Sequence, residues 1–494
     1  MLNWRGRKAG SGRSRLVVQC DARPSELTDA VCRTNARSGR FPPSWLAELA
    51  KIPPGLTPRL QIHTQREEVG LKVKLAYGKT GLVVELPDDR TTVVEPSYLP
   101  ALPDPEGALR TAIRDPVGEA VPLRRLAQPG NTVAISVCDI TRPMPSAAVL
   151  PVLLRDLSHL PNSDISILVA TGTHRANTDA ELRQMLGDGI VERYTVHNHN
   201  AFDDSILEKA GETRNGIPIF LNRHWLNADL RITTGFVEPH FFAGFSGGPK
   251  MVAPGLAGFD TIMRLHNAEM IGHPEARWGV TVGNPIHDAI REIADRTGVD
   301  FALDVTINRD HGITSVYAGE LSAVHRAACR FARTVSMQPV DRPFDVVLTT
   351  NSGYPLDQNL YQAVKGISAA AQVIKTGGTI IAAAECLDGI PDHGEYGRLL
   401  KSSSGPRDIL ETVHSPGHNV HDQWQVQIQA QIQLRAEVKI KSTFLTDDQV
   451  RNAHLEPVED VEQAVEDELL RYGSESALCV IPEGPQTIPF LADA

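Results

Sequence analysis

Thr132-Val-Ala-Ile-Ser-Val-Cys138-Asp139-Ile-Thr-Arg142-Pro143 carries a short apolar run straight into a charged loop. The chain then repeats the arrangement. A helical pattern over Ser146–Leu157 leads to a second apolar run, Ile165–Ala170, which ends in Thr171-Gly172-Thr173-His174-Arg175. A further helical pattern over Asp179–Leu186 precedes the run Leu230–Thr233, beyond which lies Pro239-His240. Short strands separated by whole amphipathic helices cannot pair as hairpins. They predict a parallel sheet with helical crossovers. Ligands of such sheets bind beyond the carboxyl ends of the strands, so the loops of Asp139, His174 and His240 should share one rim. A single histidine after a strand is more commonly a hydrogen-bonding residue, but three reactive loops on one rim outweigh that explanation.

A second βα series begins at Asp345-Val-Val-Leu-Thr349 and continues through Ala369–Lys375 and Thr379–Ala384. It ends in a helix over Val458–Tyr472 and a strand over Ala477–Ile481. The joint falls near Thr334–Pro343, with a helical linker before it, and 494 residues suffice for two cores. Upstream, Val73–Gly78 and Leu82–Leu86 read as two strands joined by a Gly-Lys-Thr-Gly turn. The expectation is an α/β protein of two domains with mainly parallel sheets, 71–335 and 336–494. The active site lies at their interface, and the final segment packs back on the first domain.

Composition narrows the function. Hydrophobic content of 41%, charged content of 22% and a net charge of −11 describe a globular chain and argue against nucleic-acid or anionic-membrane partners. No stretch approaches the ~20 apolar residues of a membrane span. Six scattered cysteines without a CxxC pair fit a reducing cytoplasm and no disulfide framework. Residues 1–70 differ in character, with twelve Lys/Arg against six Asp/Glu, while the remainder nets −17. They read as a disordered extension or as a start placed too early, with the structured chain opening near Val69.

The chemistry concentrates in Pro239-His240-Phe-Phe-Ala-Gly244-Phe245-Ser246-Gly247-Gly248-Pro249-Lys250. Its glycines allow positive φ and let backbone N–H groups approach an anion. It is not a Walker A loop: the spacing fails, and Met251 stands where a Mg²⁺-binding hydroxyl would be. Lys250 is therefore free for other chemistry, including covalent attachment. Asp139 and Arg142 form either a local ion pair or, with the guanidinium free, a fork for a carboxylate or phosphate. His266 and His287 are metal-competent, though neither sits in a multi-histidine pattern. Phe241, Phe242 and Phe245 read first as packing, and alternatively as an apolar pocket wall.

Taken together, Asp139-x-Thr141-Arg142-Pro, Gly172-Thr-His174-Arg, Pro239-His240-x3-Gly-x-Ser246-Gly247-Gly248-x-Lys250, His266-Asn267, Tyr361-Gln362-x2-Lys365 and Trp424-Gln425 resemble the nickel-pincer lactate racemase family. The resemblance runs from Val73 to the C-terminus. It implies a nickel-pincer nucleotide, a Ni(II) pyridinium-3-thioamide-5-thiocarboxylate mononucleotide tethered to Lys250, with His266 as the protein's nickel ligand. It implies His174 and His240 as paired catalytic histidines. Asp139, Thr141, Ser246, Gly247 and Gly248 are expected beside the cofactor, and Arg142, Tyr361, Gln362, Lys365 and Trp424 beside the substrate.

The implied activity is racemisation or epimerisation of a small 2-hydroxy acid, after cofactor-biosynthesis enzymes have supplied the nucleotide. Hydride moves reversibly to the cofactor through a planar 2-oxo acid, and one histidine serves as base for each enantiomer. The alternatives are a lyase or dehydrogenase of the same fold acting without the pincer, or a non-catalytic hydroxy-acid or nickel binder.

Overall fold

The computed structural model describes residues 70–392 and 394–492, with the short antiparallel strands Ser14–Val17 and His63–Arg66. The expectation for residues 1–70 otherwise lies outside the described residues, as do Cys20 and Cys32. Lys72–Val84 and Arg90–Ala494 form one compact unit; Met1–Leu71 with Glu85–Asp89 form the other.

Two six-stranded sheets organise the large unit. In the first, the order is Ile313–Gly319, Phe301–Ile307, Leu230–Phe236, Val133–Cys138, Ile165–Ala170, Thr195–Asn198. All its pairings are parallel except the outermost, Phe301–Ile307 with Ile313–Gly319. Every residue of Val133–Cys138 is buried, as a central strand covered on both faces requires. Cys138 pairs with Ala170, so the loops opening at Asp139 and Thr171 leave the sheet side by side. The crossover helices have local causes. Thr178 and Glu181 close a capping box on Asp179–Leu186, and Asn284 accepts from Ile286 and His287 at the start of Pro285–Thr297.

The second sheet is wholly parallel, in the order Glu456–Pro457, Glu437–Lys441, Ile374–Ala383, Phe344–Thr350, Leu478–Ile481, Thr91–Val93. Its last strand precedes the whole first sheet in the chain, a crossing that βα alternation could not foretell. The helix Leu321–Ser336 connects the two sheets, as the sequence predicts. The strand after it, Met337–Val340, pairs with the late strand Ile488–Leu491. Ala369–Lys375 divides between the end of the helix Leu360–Ala370 and the start of Ile374–Ala383. Among the described residues no helix is long and apolar enough to cross a membrane. Cys138, Cys329, Cys386 and Cys479 are buried free thiols.

In the loop that follows the first sheet the chain makes a close backbone approach. Gly244, at φ +79°, sits where an added Cβ would stand 1.9 Å from the Val280 carbonyl oxygen. Gly244→Ala must therefore hold a left-handed backbone with a side chain and displace a backbone oxygen. It should lower unfolding free energy by about 2 kcal/mol or more in urea titration. An unchanged midpoint would show that this approach does not constrain the chain.

Candidate active site

The site is built where strands of the first sheet end. Asp139 leaves Val133–Cys138 buried, and its Oδ2 lies 2.6 Å from Nδ1 of His174 in the neighbouring loop. Its Oδ1 accepts from the Thr141 hydroxyl at 2.7 Å, and that hydroxyl is also 3.5 Å from His174 Nδ1. Burial alone would raise the Asp139 carboxyl. The bonds from His174 and Thr141 and the charge of Arg142 oppose it and hold the pKa below the usual value. Of the two sequence readings of Asp139 and Arg142, the local ion pair is not formed. Arg142 is exposed and makes no ion pair among the described residues. The carboxylate instead fixes the His174 tautomer, with the proton on Nδ1 and a lone pair at Nε2.

Leu230–Phe236 delivers the second loop. Pro239–His240 and Gly244–Phe245 pair antiparallel and bring the chain back to Ser246. Ser246 commits its polar groups inside the turn: the hydroxyl donates to Phe236 O, and the Glu238 N–H donates to that hydroxyl, both at 2.9 Å. Gly247 and Gly248 take φ of +68° and +50°, as the glycine run predicts. Yet the Gly248 N–H points inward, to both carboxylate oxygens of fully buried Asp304 at 3.1 and 3.2 Å. A free anion-binding donor at Gly248 is therefore not what the fold provides. Ser246 and Gly248 shape the turn that presents Lys250.

Lys250 is half-buried, and its pKa is pushed down to about 7 by burial, with Arg142 and Lys365 adding repulsion. Because the folded value lies below the ordinary ~10.4, the chain gains stability as pH rises from about 7 towards 10.4, the reverse of a salt-bridged lysine. Acylation of the apoprotein by a water-soluble succinimidyl ester should accordingly reach half its maximal rate at Lys250 near pH 7. An ordinary lysine is then neutral in roughly one molecule in a few thousand. Peptide mapping showing Lys250 labelled in step with surface lysines would refute this.

His240 is held well below the usual imidazole range, first by burial and then by Lys250, Lys365 and Arg142. Its Nδ1 accepts from Ala243 N–H at 3.2 Å, which leaves the proton of the neutral ring on Nε2. His266 ends the helix Phe259–Leu265 and is buried. Its Nδ1 donates to Ile262 O at 2.7 Å, and burial brings its pKa down to about 4. The ring is neutral, with the Nε2 lone pair uncommitted, which is the state a metal ligand needs. Among the described residues no three His, Cys, Asp or Glu side chains group to hold a metal ion. A metal at His266 would thus take its other donors from a non-protein group.

The second sheet contributes the opposite wall. The helix Leu360–Ala370 starts at the Asn359 cap and carries Tyr361, Gln362 and Lys365. Tyr361 and Lys365 stand one turn apart on one side. Lys365 is pushed down to about 8 by burial and by Arg142. Trp424 Nε1 donates to Tyr361 Oη at 3.1 Å, and its ring lies 4.8 Å from that of His266. Phe242 touches both His240 and His266, with centroids at 4.5 and 5.2 Å. Phe241 and Phe242 therefore serve both sequence readings, packed in the core and forming a wall beside the histidines, whereas Phe245 is core. Gln362 shares the first turn of its helix, but no hydrogen bond among the described residues ties its side chain to the cluster.

Sequence reasoning passed over Glu238, Asp304 and His421. Glu238 stands two residues before His240, and the charges of Arg142, Lys365 and Lys250 all bear on it. Its place as a carboxylate in a histidine-bearing loop was the available signal. Asp304 is hidden mid-strand in an apolar run, and His421 meets Thr173 Oγ1 at 3.2 Å only through the fold.

Known proteins match this chain along most of its length. The family models for the lactate racemase N-terminal and C-terminal domains match residues 77–279 and 340–488. The chain is 35% identical over 423 residues to a lactate racemase of Thermoanaerobacterium thermosaccharolyticum, covering 84% of this chain and 98% of that protein. It is 36% identical over 419 residues to a lactate racemase of Lactiplantibacillus plantarum, covering 83% and 98%. The solved apoprotein of the Thermoanaerobacterium lactate racemase superposes with a TM-score of 0.79 at 34% identity, covering 85% of this chain and all of that one. The chain belongs to the lactate racemase family.

Proposed function

We propose that this protein is an isomerase that racemises a small 2-hydroxy acid, lactate or a close relative, using a nickel-pincer pyridinium mononucleotide tethered to Lys250. One observation carries the reading. Lys250, Lys365, Arg142 and His266 all bear on His240 in one site, where no described cluster of protein ligands could hold a metal unaided. When bound, the nucleotide supplies a reversible hydride acceptor.

Everything else falls to the chain's own residues. The Lys250 amine, about half neutral near pH 7, is suited to forming the tether. His266 would hold the nickel through Nε2, because Nδ1 is committed to Ile262 O. Arg142, without an ion-pair partner among the described residues, takes the substrate carboxylate, and Lys365 polarises its oxygen. Gln362 adds a contact from the same helix turn, while Tyr361 and Trp424, bonded to each other, close the wall. Asp139 and Thr141 set the His174 ring, and Ser246, Gly247 and Gly248 set the turn beneath Lys250. His174 Nε2 removes the hydroxyl proton of one enantiomer, and His240 serves the other. The first sheet with its flanking helices, within 71–335, and the second, built from 336–494 together with the strand Thr91–Val93, act as the two domains enclosing the reaction. We place it in the cytoplasm, where enzymes that build the nucleotide must act first.

The test is co-expression with nickel-nucleotide synthesis enzymes, followed by intact-mass measurement and circular dichroism of a panel of chiral 2-hydroxy acids. A Lys250 adduct together with loss of optical activity is expected. Full activity in unmodified protein would overturn the tether and favour a lyase or dehydrogenase.

A further inference from the structure

Asp139 with His174 is matched by a second Asp–His pair on the opposite wall, where His421 Nδ1 faces Asp422 Oδ2 at 3.4 Å. Both residues lead into the helix Gln423–Gln433. Asp422 is buried and holds a left-handed backbone at φ +67°, a conformation that costs free energy for a residue with a Cβ. Its carboxylate also bears on Tyr361, where after burial it is the next cause that raises the hydroxyl. The half-buried His421 ring stands edge-on to Trp424 at 5.2 Å and lies 6.4 Å from Phe259 of the first-sheet side.

From that position His421 Nε2 crosses to Thr173 Oγ1, at 3.2 Å. Thr173 immediately precedes His174. The loop they share is tied to its own side only at its start, by the Thr171 hydroxyl to His199 O at 2.7 Å and the Gly172 N–H to Gly255 O at 3.0 Å. The Thr173 hydroxyl has no other hydrogen-bond partner among the described residues. The tip of the loop is therefore held from the opposite wall. Farther along the same helix, Gln427 Nε2 donates to Ala268 O at 2.7 Å, just beyond His266. Plain packing between the walls would account for the ring contacts. It would not call for a buried carboxylate behind the ring and a hydroxyl in front of it.

We propose that His421 is a positioning residue for the reaction: through Thr173 it sets the loop of His174, so that this histidine is aligned for proton transfer when the two walls meet. The kinetic consequence rests on the racemase reading; the contact itself does not. A hydroxyl can donate to the ring or accept from it, so the link holds in either protonation state of His421. His174 keeps Asp139 when His421 is lost, so the ring is displaced rather than released. The His240 loop is held separately, through Ser246 and its bonds to Phe236 and Glu238, and should not respond.

Hydrogen–deuterium exchange of the full-length apoprotein reads the contact without any cofactor. The reporter is the segment Thr171–Arg175, which contains the His174 N–H bonded to Thr171 O at 2.9 Å. His421→Ala should speed its exchange roughly 2–10-fold, the worth of one net hydrogen bond. Thr173→Val should do the same and Thr173→Ser should keep the native rate. Gln427→Met, which breaks a different bond between the walls, should leave this segment unchanged. Unaltered exchange in both His421→Ala and Thr173→Val would overturn the coupling, as would equal acceleration in Gln427→Met, the mark of general loosening. In protein loaded with the nickel nucleotide, His421→Ala should slow single-turnover oxidation about tenfold for the enantiomer that His174→Ala impairs and little for the other, with KM nearly constant. Equal slowing of both enantiomers would overturn the positioning role. Wild-type protein inert towards every 2-hydroxy acid would refute the racemase reading, while the exchange rates would still decide the contact.

Discussion

Lys250→Ala is expected to abolish racemisation, by at least about a thousandfold, and to give protein whose intact mass carries no adduct. The magnitude rests on the action of a tether: it converts the encounter of substrate and acceptor into a pre-assembled geometry, worth effective molarities of about 10⁵–10⁸ M. His266→Ala should behave differently. It leaves the Lys250 turn intact, because that turn is held by Asp304 and Ser246 rather than by His266. The organic adduct should persist while nickel content falls. Changes in a metal's outer shell already weaken affinity roughly 10–100-fold, so losing a direct ligand should exceed about 100-fold. Mass spectrometry with metal analysis separates the two variants. Equal retention of adduct and nickel in both would mean that the tether and ligand roles are wrongly placed.

The strands that deliver this site were legible because they are extreme cases. Ile165–Ala170 and Asp179–Leu186 have the bounds the sequence predicts, one a run of apolar residues ended by Thr-Gly, the other opened by a capping box. Val133–Cys138 lies inside the apolar run quoted from Thr132, with Cys138 still in the ladder opposite Ala170. The same local signals could not assign Thr91–Val93 to the second sheet. A three-residue strand carries too little pattern to name its partner, and pairing with Leu478–Val480 joins positions almost four hundred residues apart.

At the site, residues were legible where chemistry and spacing coincide, as at His240 and Lys250. They were illegible where their role is support. Nothing in Phe301-Ala-Leu-Asp304-Val-Thr-Ile307 distinguishes Asp304 from any strand aspartate until Gly248 is seen to bond it. Burial pushes that carboxyl up to about 7, so the turn beneath Lys250 rests on a group that the sequence alone would rank as an ordinary surface acid.

The two histidines differ in their surroundings, and the difference should appear in the kinetics. His174 has Asp139 at Nδ1, so its Nε2 is a ready base, and the buried carboxylate stabilises the cation formed when it accepts a proton. Among the described residues His240 has no carboxylate partner. Ala243 N–H occupies its Nδ1, and burial, reinforced by the neighbouring cations, keeps it neutral, so it starts as a donor through Nε2 and must give up the Ala243 contact to act as a base. Each complete racemisation uses both roles, so His174→Ala and His240→Ala should each stop net turnover. Single-turnover oxidation of one enantiomer should nevertheless fall by about 10²–10⁴ in one variant and far less in the other, with the preference inverted for the opposite enantiomer. Asp139→Asn should mimic His174→Ala with a smaller loss and the same enantiomer bias, because it removes the partner that sets the ring and leaves the base in place. Rapid-mixing measurements on both enantiomers decide the matter. Equal slowing of both hands in both variants would require a single shared base, and the Asp139–His174 pair would then be the place to look for it.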